Sequence, residues 1–399
     1  MESVLTMQNN NQFVALISGG KDSFHSILHS LALGYSLGAL CNLTPVGSKE
    51  TKFDGNEQIG SEINKEENAE LDSFMFQTVG YDLIDAYPKV LSSIGVLERA
   101  LDLKNTSEDL LELLKTKELK DQIPLFRAQI RGSSKKTGSS YYPDKNLEEE
   151  DTHDEVEDLF DILSRIKEQC PGMAAVSCGA ILSNYQRVRV ENVCERLNLK
   201  LLAPLWRMDQ HHLMAEMIES GLHSIIIKVA CLGLNNRDLG KPLSIMYPKL
   251  LDLHKKYGCN VCGEGGEFET ITLDSPVFIR KISIKDTQII EHSDDYSAPV
   301  SYLRFNNYEI ENKFDFNSLS DIENWRSQLI KSVNALRDRY SLFLEKNTTS
   351  IILSHDLERN SDSFLSNLPS SFLLKNSTEI KRIFSKVTYC ILDSLKSDT

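Results

Sequence analysis

The chain has 399 residues, with 44 Lys and Arg against 58 Asp and Glu, a formal net charge of −14. At about 100–200 residues per domain this length predicts two or three folded units, and 41% hydrophobic with 26% charged residues excludes a wholly disordered chain. The acid excess argues against direct nucleic-acid binding through phosphates, no apolar run reaches the roughly 18 residues of a membrane span, and Met1-Glu2-Ser3-Val4 has neither the basic nor the apolar region of a secretory signal.

The first predicted element is a strand, Phe13-Val14-Ala15-Leu16-Ile17, followed at once by the turn Ser18-Gly19-Gly20-Lys21-Asp22-Ser23. Phe24, Ile27, Leu28 and Leu31 then recur at helical spacing, with Asp22 or Ser23 as the expected N-cap. A second strand is expected at Leu37–Leu43, and the polar stretch 44–70 as a surface loop. Ordered structure resumes over Leu71–Val79 and in a helix over Asp82–Val90 that Pro88 ends or kinks. Leucines at helical spacing among charges make 91–122 one or two surface helices. Leu125–Ile130 reads as a strand, and a helix with an acidic start at Glu148–Asp151 puts Val156, Leu159, Phe160, Leu163 and Ile166 on one face.

Strand-like Met173–Leu182, helical Gln186–Leu197, strand Leu201–Leu205, helix Asp209–Ser220, strand Leu222–Val229 and helix Pro242–Tyr257 follow in turn. This alternation predicts an α/β fold, a parallel sheet flanked by helices. Phe268–Leu273 and Val277–Ile290 are β-rich. Ile322, Trp325, Leu329, Val333, Leu336, Tyr340 and Phe343 step by three and four, a long amphipathic helix expected to lie on the body rather than form a coiled coil. The Ser- and Asn-rich remainder is weakly specified.

The turn after the first strand carries the strongest chemical signal. Backbone N–H groups at a helix N-terminus point outward unpaired, and the dipole adds partial positive charge. Gly19 and Gly20 let the chain curl around an anion, Lys21 supplies a full charge, and the Ser18 and Ser23 hydroxyls are further donors. Asp22 is placed to orient Lys21 or to hold a metal on the phosphates. The loop is neither a Walker A motif nor a dinucleotide fingerprint: Asp22 follows Lys21, and Ala15 stands where the first Walker glycine would be.

Further along, Tyr185, Gln186, Arg187, Arg189 and Glu191 crowd a helix start at the carboxyl edge of the sheet. By themselves they read as a solvated first turn. Glu264, Glu267 and Glu269 sit on a glycine-loosened turn, and strand alternation would put Glu267 and Glu269 on one face with Phe268 on the other. Such carboxylates suit Mg²⁺ binding, activation of an amine or capture of a cationic group, or else form an exposed acidic turn. Cys259-Asn260-Val261-Cys262 lacks the second pair a structural zinc site needs, and His211-His212 reads as surface. The eight cysteines are scattered and read as reduced thiols of a cytoplasmic protein.

The Ser18–Ser23 loop resembles the pyrophosphatase loop of the N-type ATP pyrophosphatases, which share the HUP or adenine-nucleotide α-hydrolase-like fold. More specifically, the chain from about Phe13 to Arg304 is similar to the diphthine–ammonia ligase family. That resemblance rests on residues 71–80, on Pro124-Leu125-Phe126-Arg127 with Ile130-Arg131-Gly132, on Gly179–Glu191, on Ile227-Lys228-Val229-Ala230 and on Cys262–Thr270. Tyr81 and Asn184 depart from the family, which often has His at the first and sometimes Asp at the second. The stretch 91–122 stands as an insertion, and residues beyond Glu311 show no module like the RidA-type units of fungal members.

The resemblance implies an ATP-binding domain over 12–205, a smaller α+β substrate subdomain over 206–304 and a mainly helical extension over 311–399. It implies ATP and Mg²⁺ as cofactors, with ammonium and an elongation factor 2 carrying diphthine as partners, and no membrane. The carboxylate would be adenylated, ammonia would displace AMP, and the absence of a glutaminase motif favours free ammonium. Lys21, Asp22, Glu267 and Glu269 would be catalytic, and Ser18–Ser23 would bind nucleotide with Asp22 at the metal. Tyr185, Gln186, Arg189, Glu264 and Phe268 would contact substrate. The alternatives are a tRNA-modifying adenylating enzyme of the same superfamily and a catalytically silent nucleotide-binding protein.

Overall fold

The structure, a computed structural model, describes residues 11–44, 77, 79–91, 94–116, 122–135, 138, 141–142, 154–293 and 300–351. The polar stretch beyond Thr44, residues 71–76, the acidic start at 148–151 and the tail after 351 lie outside the described residues.

Strand β1 (Gln12–Leu16) runs into helix α1 (Lys21–Ala32), and strand β2 (Ser36–Thr44) follows. The cap differs from the expected Asp22 or Ser23. Gly20 is the N-cap, in extended conformation and without a side-chain bond of its own. The hydroxyl of Thr270, 249 positions away, accepts the Lys21 N–H instead. A tertiary contact thus replaces the local cap, which no local pattern announces.

A 3₁₀ turn at Tyr81–Ala86 leads into α2 (Tyr87–Val90). Pro88 sits in the first turn of α2, where a missing N–H costs little, so it begins a helix as well as dividing one. Helices α3 (Ile94–Leu101) and α4 (Ser107–Thr116) precede β3 (Leu125–Gln129). Then come α5 (Glu155–Gln169), β4 (Met173–Ser177), α6 (Asn184–Arg196) and β5 (Lys200–Leu202).

The first five strands are parallel in the order β3-β2-β1-β4-β5. Alternation along each strand, interrupted in β2 by a register shift at Gly38, splits them between two cores. Phe13, Ala15, Leu37 and Leu40 face the α1 side, while Val14, Ala39 and Cys41 face α5 and α6. Chain order reverses between β1 and β4, and the crevice outside the carboxyl ends of such strands is where open α/β sheets bind ligands. The Ser18–Ser23 turn leaves β1 there, and Gly179–Ser183 leaves β4.

Helix α7 (Gln210–Glu219) then leads to β6 (His223–Val229), α8 (Leu243–Tyr257), β7 (Phe268–Asp274), β8 (Arg280–Ser293) and β9 (Val300–Asn312). The expected parallel continuation at 222–229 is corrected here. β6 joins a separate antiparallel sheet, β7-β6-β9-β8.

Helix α9 (Leu319–Ile351) lies on the body as expected, with Ile322, Trp325, Leu329, Val333 and Leu336 buried. It covers the 91–122 segment, whose helices are therefore not surface helices: Val96, Leu97, Ala100 and Leu110 are buried, and Arg326 donates to the carbonyls of Ala100, Asp102 and Asn105. Among the described residues no helix is long and apolar enough to cross a membrane.

Candidate active site

The glycine turn is shaped by strand β7, which runs beside it. The Thr272 N–H donates to the Gly19 carbonyl at 2.8 Å, and the Tyr87 hydroxyl donates to the same oxygen at 3.1 Å. Gly19 has φ +87°, and a Cβ there would stand 2.5 Å from Ile271 Cδ1. Only glycine combines that backbone with that contact. Gly20 donates to Ser18 Oγ, and Ser23 Oγ donates back to the Gly20 carbonyl, so both hydroxyls brace the turn. Gln77 donates to the Val79 and Thr270 carbonyls, with its own carbonyl oxygen against Gly20.

Lys21 is 3% exposed, and its Nζ donates to Asp22 Oδ2 at 2.7 Å and to the Cys262 carbonyl at 2.6 Å. Burial alone would lower its pKa. The Asp22 carboxylate and the Cys262 and Glu264 groups outweigh that and raise it above the usual lysine value. Lys21 is therefore a fixed positive charge at neutral pH. Asp22 Oδ1 is buried with no hydrogen-bond partner. An uncompensated buried carboxylate oxygen costs free energy unless a cation or donor completes it. Helix amides, glycine backbone and ammonium fit a phosphate chain, and the free oxygen of Asp22 fits a divalent cation upon it.

The acidic turn closes on this loop from the second sheet. Glu267 accepts from the Asn260 and Gly265 amides, at 2.9 and 2.8 Å, and so fixes the shape of the turn. Gly263 has φ +75°, and a Cβ on it would meet the Phe268 carbonyl at 2.8 Å. Glu264 reaches across to accept from the Leu182 and Ser183 amides. Burial and the nearby Asp22 charge raise its pKa against those two bonds. Glu269, on β7, pairs with Lys228 of β6 at 3.4 Å, and Phe268 is buried with the Lys21 ammonium 5.8 Å from its ring centre. Of the three carboxylates, Glu264 is the one whose charge bears on both Lys21 and Asp22.

The third motif is anchored to the first. A Cβ on Gly179 would lie 2.8 Å from the Asp22 carbonyl carbon and 2.9 Å from Ser23 N, so main chain lies directly on main chain. Ser183 caps α6 by accepting from the Gln186 amide. Arg189 is not the solvated residue its position suggested. It is 0% exposed, lies 3.3 Å from the Tyr185 ring centre, and donates to the Tyr185 and Gly138 carbonyls.

Sequence reading gave no role to several participants, although Gln77, Arg127 and Thr270 lie inside motifs it singled out. Thr270, Gln77 and Tyr87 brace the loop through backbone contacts, and Tyr87 was only one aromatic among helical residues. Arg127 on β3 is 7% exposed and holds Asp85 at 2.9 Å and the Tyr81 carbonyl; a charged residue inside an apolar strand was the available signal. Cys259 lies 3.5 Å from the Cys231 sulfur, while the Cys262 thiol reaches the Gln210 carbonyl. His212 is exposed and pairs with Asp209. A cavity of about 630 Å³ on the second sheet, lined by Ile225, Ile284, Ile289 and Leu303 among others, contains none of the loop residues.

Known proteins resemble this chain. Residues 144–201 match the family described as diphthamide synthase N-terminal domain, and residues 209–305 its C-terminal domain. A Bos taurus protein named diphthine–ammonia ligase is 44% identical over 300 residues, covering 75% of this chain and 92% of that protein. The Homo sapiens protein of that name is 42% identical over the same shares. The Schizosaccharomyces pombe one is 37% identical over 329 residues, which is 82% of this chain and 44% of the relative.

Proposed function

The chain belongs to the diphthine–ammonia ligase family, and we propose that it amidates diphthine on elongation factor 2 to diphthamide in the cytoplasm, using ATP and ammonium. The observation that carries this reading is Lys21, a buried ammonium held between Asp22 and the Cys262 carbonyl where glycine loop and acidic turn meet.

A carboxylate resists attack by an amine because its charge repels the nucleophile and oxide is a poor leaving group. In the proposed reaction the diphthine carboxylate oxygen attacks the α-phosphorus of ATP, and the bond to pyrophosphate breaks. Ammonia then adds to the acyl carbon of the adenylate, AMP leaves with the bonding electrons, and a proton is lost to water. The Ser18–Ser23 turn binds the phosphates through its backbone, and Lys21 offsets the charge that grows on departing pyrophosphate. Asp22 would hold Mg²⁺, which would offset charge on the phosphates. Residues 12–205 carry the nucleotide and 206–304 present the substrate, with 311–399 as an extension. Diphthine carries a trimethylammonium group, which Glu264 and Glu267 suit better than Phe268, which is buried.

The test incubates the full chain with diphthine-bearing elongation factor 2, ATP, Mg²⁺ and ammonium, following AMP, pyrophosphate and the mass of the factor. Equal release of AMP and pyrophosphate with conversion of carboxylate to amide is expected. AMP release without amide, or dependence on added tRNA, would overturn the reading.

A further inference from the structure

One and two turns into α1 from the glycine loop, a second constellation stands unused by this chemistry. His25 and His29 lie one helical turn apart on α1, both inside the molecule at 0% and 1% exposure. Their Nε2 atoms are 3.1 Å apart, and each is 3.0 Å from Glu216 Oε1 on α7. Among the described residues this is the one place where three His, Cys, Asp or Glu donor atoms all lie within 4.8 Å of one another.

Hydrogen bonding alone leaves the triangle with a surplus contact. Each neutral imidazole Nε2 carries either a proton or a lone pair, so the three edges hold at most two hydrogen bonds. A metal ion uses all three donors together. At about 2.0–2.1 Å from each donor it would stand about 1 Å out of the plane of these 3.0–3.1 Å edges, close to a tetrahedral face.

The surroundings carry the second feature of such sites. His29 Nδ1 lies 2.6 Å from the Tyr340 hydroxyl, and donating its ring proton there leaves the Nε2 lone pair turned inward. Arg339 ion-pairs with Glu216 Oε2, which leaves Oε1 for the centre. Tyr340 and Arg339 both belong to α9.

We propose that His25, His29 and Glu216 form a binding site for a divalent transition-metal ion of the zinc class, clasping α1 and α7 beneath α9. Two imidazoles and a carboxylate are the donor set such an ion prefers over Mg²⁺ or Ca²⁺. The site is separate from Asp22, and its test is independent of the ligase reaction.

The full chain, purified without a histidine tag or chelator, is analysed for metal by plasma mass spectrometry and then titrated with Zn²⁺ and with Co²⁺. About one equivalent of zinc per chain is expected, with visible tetrahedral d–d bands on cobalt substitution. A chelator should lower the Tm of the wild-type chain, and zinc should restore it. The His25→Gln/His29→Gln double variant should lose the metal, while Cys231→Ser/Cys259→Ser keeps it. If the wild-type chain neither binds Zn²⁺ at micromolar concentration nor gains Tm from it, the site is a hydrogen-bonded cluster only. Metal retained by a folded double-histidine variant would equally overturn the assignment.

Discussion

Lys21 Nζ donates to the main-chain carbonyl of Cys262 at 2.6 Å, although the two residues stand 241 positions apart. The glycine loop of the parallel sheet and the acidic turn of the antiparallel sheet are therefore one site. A backbone acceptor cannot be removed by substitution at Cys262, so this bond is broken by replacing Lys21.

Replacing Lys21 by Ala removes the fixed cation where pyrophosphate charge would develop. Loss of a preorganised electrostatic group of this kind costs about 10²–10³-fold in kcat. AMP release measured at saturating ATP should fall by that amount, with circular dichroism unchanged. A variant that keeps full turnover would take the loop out of the mechanism.

Gly179→Ala tests the contact between the first and third motifs. The new methyl would press on the Asp22 carbonyl carbon at 2.8 Å and on Ser23 N at 2.9 Å, backbone atoms rather than the far end of a flexible side chain. Overpacking of this sort costs about 1–3 kcal/mol, much of it borne by the start of α1, where phosphate would bind. KM for ATP should rise about tenfold for each 1.4 kcal/mol that falls on the bound state, and Tm should drop by a few degrees. Steady-state kinetics over a range of ATP concentrations reads the first, and scanning calorimetry the second.

The parallel sheet was legible because buried strands write themselves as short apolar runs and the flanking helices as three-and-four steps; β1, β2, β3 and β4 fall within a few residues of their expected places. The Ser18–Ser23 turn stood out because a lysine inside a glycine turn between strand and helix has no purpose that a local sequence pattern explains; that Gly19 is also required by its contact with Ile271 shows only in the fold. Partnership was harder to see. The 222–229 run is as apolar as a parallel strand, and its antiparallel pairing with β7 depends on residues some forty positions later. Arg189, read by itself as part of a solvated first turn, and Glu267, read as a site carboxylate or an exposed acidic one, have structural partners that polarity in a sequence does not reveal: one stacks on Tyr185 and the other ties two backbone amides. His25 and His29 had the i, i+4 spacing of a ligand pair, but Glu216 is nearly two hundred residues away and makes the cluster only after folding.

Glu264 gives a pH-dependent prediction with a definite sign. Burial and the Asp22 charge raise its folded pKa above the usual glutamate value of 4.5. Its protonated form is thus favoured by folding: the stability it contributes is complete below about pH 4 and is lost as pH rises through the raised value. Glu264→Gln keeps an oxygen for the Leu182 and Ser183 amides and removes the ionisation. The variant should therefore melt higher than the parent at pH 7, with the difference closing as pH falls toward 4, where the parent is protonated in both states. Thermal melts of both proteins across that range decide it; a variant that melts lower at pH 7 would show the carboxylate to be held by attraction instead.

Trp325 is the place where the long helix can be detached without touching the loop. It is 3% exposed, its indole N–H donates to the Pro276 carbonyl at 3.1 Å, and its ring stacks at a tilt on Phe314, 5.7 Å between centres. Truncation to Ala removes a large apolar surface and leaves a cavity that neighbouring helices cannot fill by small shifts. Such changes cost about 3–5 kcal/mol, a large fraction of the stability of an ordinary domain. The denaturation midpoint of Trp325→Ala should fall accordingly at unchanged slope. Because Pro276 and Phe314 belong to the second sheet and its exit, the loss should be felt first in protection of the α9 amides and of the 91–122 helices beneath them. Hydrogen exchange resolves this: early exchange confined to α3, α4 and α9 fits a helix that clamps that face, whereas uniform loss of protection across β1 and β4 would mean that α9 holds the parallel sheet itself.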